Sequence, residues 1–233
     1  GNSNDVIIQV FPRGESSTIP QLYLGIYEKA VSASFFRTFF GSTLISGATL
    51  MALIIGAYFL YLYFASPVKD NYLLFFAFMC FSFILAYFEI TFQYGSAPEV
   101  PLKIISKIGF TLTMFFFVLF CIDFTGRPKR APLRKALLIL ISAFTLFFVV
   151  SMLFKTSKAA IDELYGMQTS FYFGPLILAT VTLVTLSIIK DKRKDAIVLL
   201  AGLMAVLATT FHDIIAIATN VPPYAYLTAY GFV

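Results

Sequence analysis

Apolar runs of membrane-spanning length alternate with short polar segments along most of the chain. Thr38 to Val68, Ala136 to Phe154 and Leu164 to Ile189 contain no charged residue. Each meets or passes the roughly 20 residues that an α-helix needs to cross hydrocarbon. Further runs cover Tyr72 to Tyr94, Ile104 to Phe124 and Ala196 to Thr219, and a seventh begins at Tyr224 and reaches Val233. The runs are continuous, whereas the strands of a membrane barrel alternate apolar and polar side chains, so helices are expected. The pattern predicts an all-α integral membrane bundle with helices at about 38–64, 72–94, 104–124, 135–154, 171–189 and 196–219, and a shortened seventh at 224–233.

Composition strengthens that reading. The chain is 59% hydrophobic, 18% aromatic and only 12% charged, with a mean hydropathy of +0.87. A soluble domain carries roughly 25% charged residues, which leaves too few here for a water-facing surface. Runs such as Phe115-Phe116-Phe117 go all round a helix, so part of the aromatic content must face lipid, and Tyr58, Tyr61 and Tyr63 suit an interfacial belt.

Charge then orients the bundle, because short basic loops stay on the cytoplasmic side. Lys69 follows the first helix. Arg127, Lys129, Arg130, Arg134 and Lys135 follow the third, and Lys190, Lys192, Arg193 and Lys194 follow the fifth. The opposite loops hold only Lys103, with Lys107 just inside the third helix, and Lys155 and Lys158. The N-terminus is therefore expected outside and the C-terminus inside. The net charge of +5 sits in these loops near acidic lipid headgroups rather than in a groove for nucleic acid, so no nucleic-acid partner is expected. Cys80 and Cys121 lie inside helices with no Cys-x-x-Cys spacing, and read as free thiols with no metal or cofactor attached.

The segment before the first helix differs. Asp5 to Val10 reads as a strand, Phe11 to Pro20 as a polar turn and Gln21 to Gly25 as a second short strand. Two strands do not make a domain, and the seventh run covers about half a span. Further polypeptide is expected at both ends.

With the strand Val6 to Val10, Leu24-Gly25-Ile26 leading to a glycine-containing first helix, an aromatic exit at Tyr58 to Phe64 and Lys69-Asp70-Asn71-Tyr72-Leu73 at the first inner turn, the chain resembles bacterial seven-transmembrane receptors with diverse intracellular signalling modules. The resemblance implies that residues 1–30 are the last strands of a periplasmic jelly-roll (β-sandwich) sensor domain and linker. It further implies that 31–233 form the seven-transmembrane domain in the cell's inner membrane, and that a kinase, cyclase or phosphatase output domain follows. No P-loop, kinase or cyclase motif occurs in this sequence, so no catalytic activity is expected of the chain itself. The implied role is relay of a periplasmic signal to a cytoplasmic output module.

Ionisable groups at membrane depth are costly unless partnered. Glu89, Lys107, His212 and Asp213 all fall in the outer third of their helices and form a candidate polar cluster, with His212 its proton-sensitive member. The bland alternative is that they pair and hold helices in register. His212 shares a stripe with the small residues Ala201, Ala205 and Ala208, which lets a neighbouring helix come close. Gly41, Ala48, Ala52 and Gly56 make a similar stripe on the first helix, suited to packing inside one bundle, to the seventh helix or to a second protomer in a homodimer. Pro175, after Gly174, reads as a helix-start residue, and Lys155 to Ser170 as an outer loop. A retinal protein would need a lysine in the seventh helix, and a zinc hydrolase more histidines than His212. A small-molecule or ion transporter using the same Glu/Lys/His/Asp groups is the alternative, although no internal repeat with broken helices is visible.

Overall fold

The computed structural model describes residues 43–91, 99–129 and 131–218, apart from the side chains of 90, 91, 206 and 209–218. The two strands expected within 1–30 and the run at 224–233 lie outside the described residues. All regular structure in the described part is helical: α1 (Leu44–Ala65), α2 (Asn71–Ala86), the single turn α3 (Phe88–Thr91), α4 (Glu99–Thr125), α5 (Ala131–Leu153), α6 (Lys158–Gln168), a π-helical turn (Thr169–Phe173), α7 (Gly174–Asp191) and α8 (Asp195–Ala218). α6, the π turn and α7 run on as one rod of 34 residues, about 51 Å long at 1.5 Å per residue. That rod, α1, α4 and α5 are each long and apolar enough to cross a membrane.

α4 is the central helix. Half of its apolar window is buried, against 22% for α5, and it packs on α2, α3, α5, α6 and α7. On one side Met114, Val118 and Ile122 of α4 meet Ile141 and Phe148 of α5 and Leu176 of α7. On the other, Phe110 and Phe116 close over Ala52 of α1 and Met79 and Phe83 of α2. Away from these seams the helices remain apolar: Leu50, Ile54 and Tyr61 of α1 and Ile139 and Leu146 of α5 are exposed. Apolar side chains on both inner and outer faces are what a lipid-solvated bundle requires, and α-helices satisfy their backbone groups internally there.

With lipid as apolar as the core, close backbone approach supplies much of the packing. Gly56 lets α1 settle on α2, since a Cβ there would sit 3.0 Å from the Cβ of Cys80 and 3.3 Å from the Ala77 carbonyl oxygen. Gly109 brings α4 closer still, against the backbone of Leu85 and Ala86. At this contact the second predicted helix, drawn as unbroken from 72 to 94, is interrupted. Tyr87 leaves helical geometry at φ −101°, ψ 11°, and the Ser106 hydroxyl donates to the Ala86 carbonyl, which helps satisfy a backbone acceptor where the helix ends.

The fifth helix also differs from expectation. The stretch from Lys155 to Ser170, expected as a loop, is helical from Lys158, because Ser157 caps the helix by accepting from the Ala160 N–H at 3.3 Å and Ile161, Leu164 and Gln168 form a buried stripe. Pro175 consequently lies deep inside the rod and not at its start. At the other end of α1, the Lys69 ammonium donates to the Tyr63 and Phe64 carbonyls at 3.0 and 2.8 Å, closing that helix C-terminus.

Candidate functional site: a polar ladder along the rod

α4 and α6 leave one end of the bundle side by side and in step. Glu99, Lys103, Lys107 and Thr111 recur every four residues on α4 and so share one stripe. Their partners on the rod are Lys158, Asp162, Tyr165 and Gln168. Lys158 forms an ion pair with Glu99, and Lys103 one with Asp162 at 2.6 Å. These four residues, with Thr156 and Ser157, line a cleft of about 540 Å³ at that end.

One turn deeper, the Lys107 ammonium lies 4.1 Å from the centroid of the Tyr165 ring and 6.0 Å from that of Phe110. A cation on an aromatic face keeps its charge in partly apolar surroundings at an attraction of about 0.5–2 kcal/mol. Glu89, on α3, is within electrostatic reach of Lys107. Deeper again, Gln168 is fully buried. Its amide donates to the Thr111 hydroxyl at 2.8 Å, and that hydroxyl donates to the Lys107 carbonyl at 2.8 Å. Among the described residues the Gln168 side-chain carbonyl oxygen has no partner, and an unmet buried acceptor costs about 1–3 kcal/mol.

The third level joins the rod to α5. The Tyr172 hydroxyl donates to the Ile141 carbonyl at 3.1 Å and lies 2.6 Å from the Thr145 hydroxyl. Having one proton, already directed at Ile141, Tyr172 accepts from Thr145. At the far end of the rod Asp191 holds Arg127 at 2.7 Å and Lys129 at 2.5 Å, both from the turn between α4 and α5. Arg193 donates to the Phe124 carbonyl, lies 4.6 Å from that ring's centroid and pairs with Asp195. Hydrogen bonding to Asp195 pushes the Arg193 guanidinium above its ordinary range, so its charge is fixed. Arg134 reaches Asp123 at 2.6 Å.

Of the cluster expected from the sequence, Glu89 and Lys107 are within electrostatic reach of one another. The side chains of His212 and Asp213 lie outside the described residues, as do Arg130 and Gly41. Ala48 and Ala52 are buried, and with Gly56 they belong to the face of α1 turned to α2. The stripe of Ala201, Ala205 and Ala208 is exposed among the described residues. α8 meets α4 and α7 instead through Ala196, Leu199 and Leu200, with Leu203 buried on the same stripe. Of the basic loop residues, Arg127, Lys129, Arg134 and Arg193 pair with carboxylates, while Lys135, Lys190, Lys192 and Lys194 are exposed.

Thr111, Gln168, Tyr172 and Asp191 were not singled out by the sequence reading, which placed Asp162 and Tyr165 in an outer loop. The four-residue spacing of Glu99, Lys103, Lys107 and Thr111 was visible there, but it marks a face without saying what the face meets.

Apolar helices around a polar seam, with ion pairs gathered toward the two ends, define a multi-pass α-helical membrane domain. A family model for 7TM diverse intracellular signalling matches residues 42–233, and the chain belongs to that family. No curated protein and no solved structure matches it. Membership makes this a transmembrane signalling domain, of a family that is not a known catalytic one.

Proposed function

We propose that the chain is the signal-relay part of a bacterial inner-membrane receptor, taking a signal from a periplasmic sensor domain ahead of α1 and passing it to a cytoplasmic output module beyond the seventh helix. The Glu99 end of the bundle is then periplasmic and the Asp191 end cytoplasmic, in keeping with the excess of Lys and Arg at the latter. The family supports signalling and lends nothing to the transport alternative.

The observation that carries the reading is the ladder itself. One rod is bonded to α4 at its first turns, to α4 and α5 at mid-depth and to the α4–α5 turn at its last residue. A displacement at one end therefore has a continuous mechanical path to the other, and a ligand that favours one position of the rod shifts the population of both ends. Glu89 and Lys107 lie along the path, and the proposed polar cluster includes His212 and Asp213, whose side chains lie outside the described residues.

The test is made in the full-length receptor. Thr111→Val keeps shape but removes the hydroxyl between Gln168 and the Lys107 carbonyl, and a fall of at least threefold in ligand-stimulated output at unchanged membrane level is expected. Unchanged output would sink the ladder. Glu89→Gln examines the cluster separately: unaltered output and expression would make that cluster a structural pairing only.

A further inference from the structure

The rod is uneven at one place. Between Gln168 and Gly174 the chain takes a π turn, in which the Gly174 N–H bonds to the Thr169 carbonyl five residues back. Pro175 follows at the start of α7. In an unbroken α-helix its nitrogen would bond the Phe171 carbonyl, but proline has no N–H and its ring presses on that carbonyl. The wider turn makes room and takes up one residue more than an α turn holds. π turns of this kind are rare and concentrate at functional places.

Restraints and penalties are divided around this turn. Above it, α6 is held by the Glu99–Lys158 and Lys103–Asp162 pairs and by the Gln168–Thr111 bond. Within it, Tyr172 is bonded to α5, and below it Asp191 is bonded to Arg127 and Lys129. At the turn itself the Gly174 N–H bonds to Thr169 and the Tyr172 hydroxyl to α5, beside a buried Gln168 side-chain carbonyl with no partner among the described residues and a proline without a donor.

We propose that Thr169–Phe173 is a rotary joint. When the two ion pairs open, the Gln168–Thr111 bond and the Lys107–Tyr165 contact give way with them, the extra residue leaves the turn and α6 rotates against the anchored α7 by one helical step, about 100° with a rise of about 1.5 Å. The relay reading enters only in the use made of the joint. The joint itself is tested in this chain alone, where no output module is involved, so its failure and that of the relay are separable.

Spin labels on Phe154→Cys and Glu163→Cys, both exposed positions, report the rotation of α6 beside the end of α5, in nanodiscs and with Cys80→Ala and Cys121→Ala to remove native thiols. One distance is expected with the pairs intact, and a second, several ångströms away, after Glu99→Gln with Asp162→Asn. Deleting Ser170 removes the extra residue, so the pair-broken protein should then return to one distance. No second distance on breaking the pairs, or one that survives the deletion, would overturn the joint. If the deleted chain fails to accumulate, Pro175→Ala decides in its place: it should change the ratio of the two distances at least twofold, and an equal ratio counts against the proposal.

Discussion

Of the described glycines, Gly109 leaves the least room for a side chain, and its role follows from the absence of one. A Cβ at this position would lie 2.2 Å from the Ala86 nitrogen and 2.5 Å from the Leu85 carbonyl carbon. Both atoms are backbone and cannot swing aside, so α2 and α4 must separate. We expect Gly109→Ala to destabilise the domain by about 3 kcal/mol. Gly47, with nothing within 4 Å of its would-be Cβ, is the control: Gly47→Ala should gain about 0.5–1 kcal/mol through helix propensity. Thermal unfolding of the two variants in one detergent compares them directly. Hydroxyls follow a related logic. Thr113, Thr125 and Thr180 each donate to the carbonyl four residues earlier at 2.6–2.8 Å, so a polar side chain is buried without needing a partner on another helix.

Among the elements, the rod and α4 set the behaviour of the rest. Their parallel course pairs residues four apart on one helix with residues three or four apart on the other, so one slip in register would break every level at once. Asp191 is the level with most charge at stake. Its carboxylate faces both Arg127 and Lys129, and the Arg127 side chain is only 12% exposed. Asp191→Asn leaves that guanidinium without its counter-charge, and we expect a lower melting temperature. The loss should shrink in Asp191→Asn with Arg127→Gln, because the stranded charge goes with its partner. A double-mutant cycle on melting temperatures checks this, and strict additivity would show that the pair contributes nothing.

For the whole molecule, the claim with the widest consequence is orientation. Ala159 and Lys192 are exposed at opposite ends of the rod. In intact cells a membrane-impermeant maleimide should label Ala159→Cys at once and Lys192→Cys only after the membrane is broken. The reverse pattern would turn the bundle over and place the Glu99 cleft in the cytoplasm. Most of the architecture was legible in advance, since an all-helical membrane domain follows from run length and low charge, and the described helices fall on the runs. The rod was not, because Lys155 to Ser170 is polar enough to read as a loop. A cap at Ser157 and a buried stripe from Ile161 to Gln168 make it helix, and neither shows in hydropathy.

The sequence by itself determined what lipid and backbone chemistry demand: which segments are apolar enough to cross, that they are helices, where the cations sit, and the family to which the chain belongs. These are local properties, set by side-chain transfer energies over about 20 residues. The tertiary structure alone decided which faces meet. It put Gly109 against Ala86, where α2 gives way to the short turn α3, left the alanine stripe of α8 exposed, and aligned Lys107 with Tyr165 and Thr111 with Gln168. In a chain apolar on every side, hydropathy does not mark the buried face. Contact there is chosen by shape and hydrogen bonding between residues distant in sequence, which become readable only once the helices are placed together.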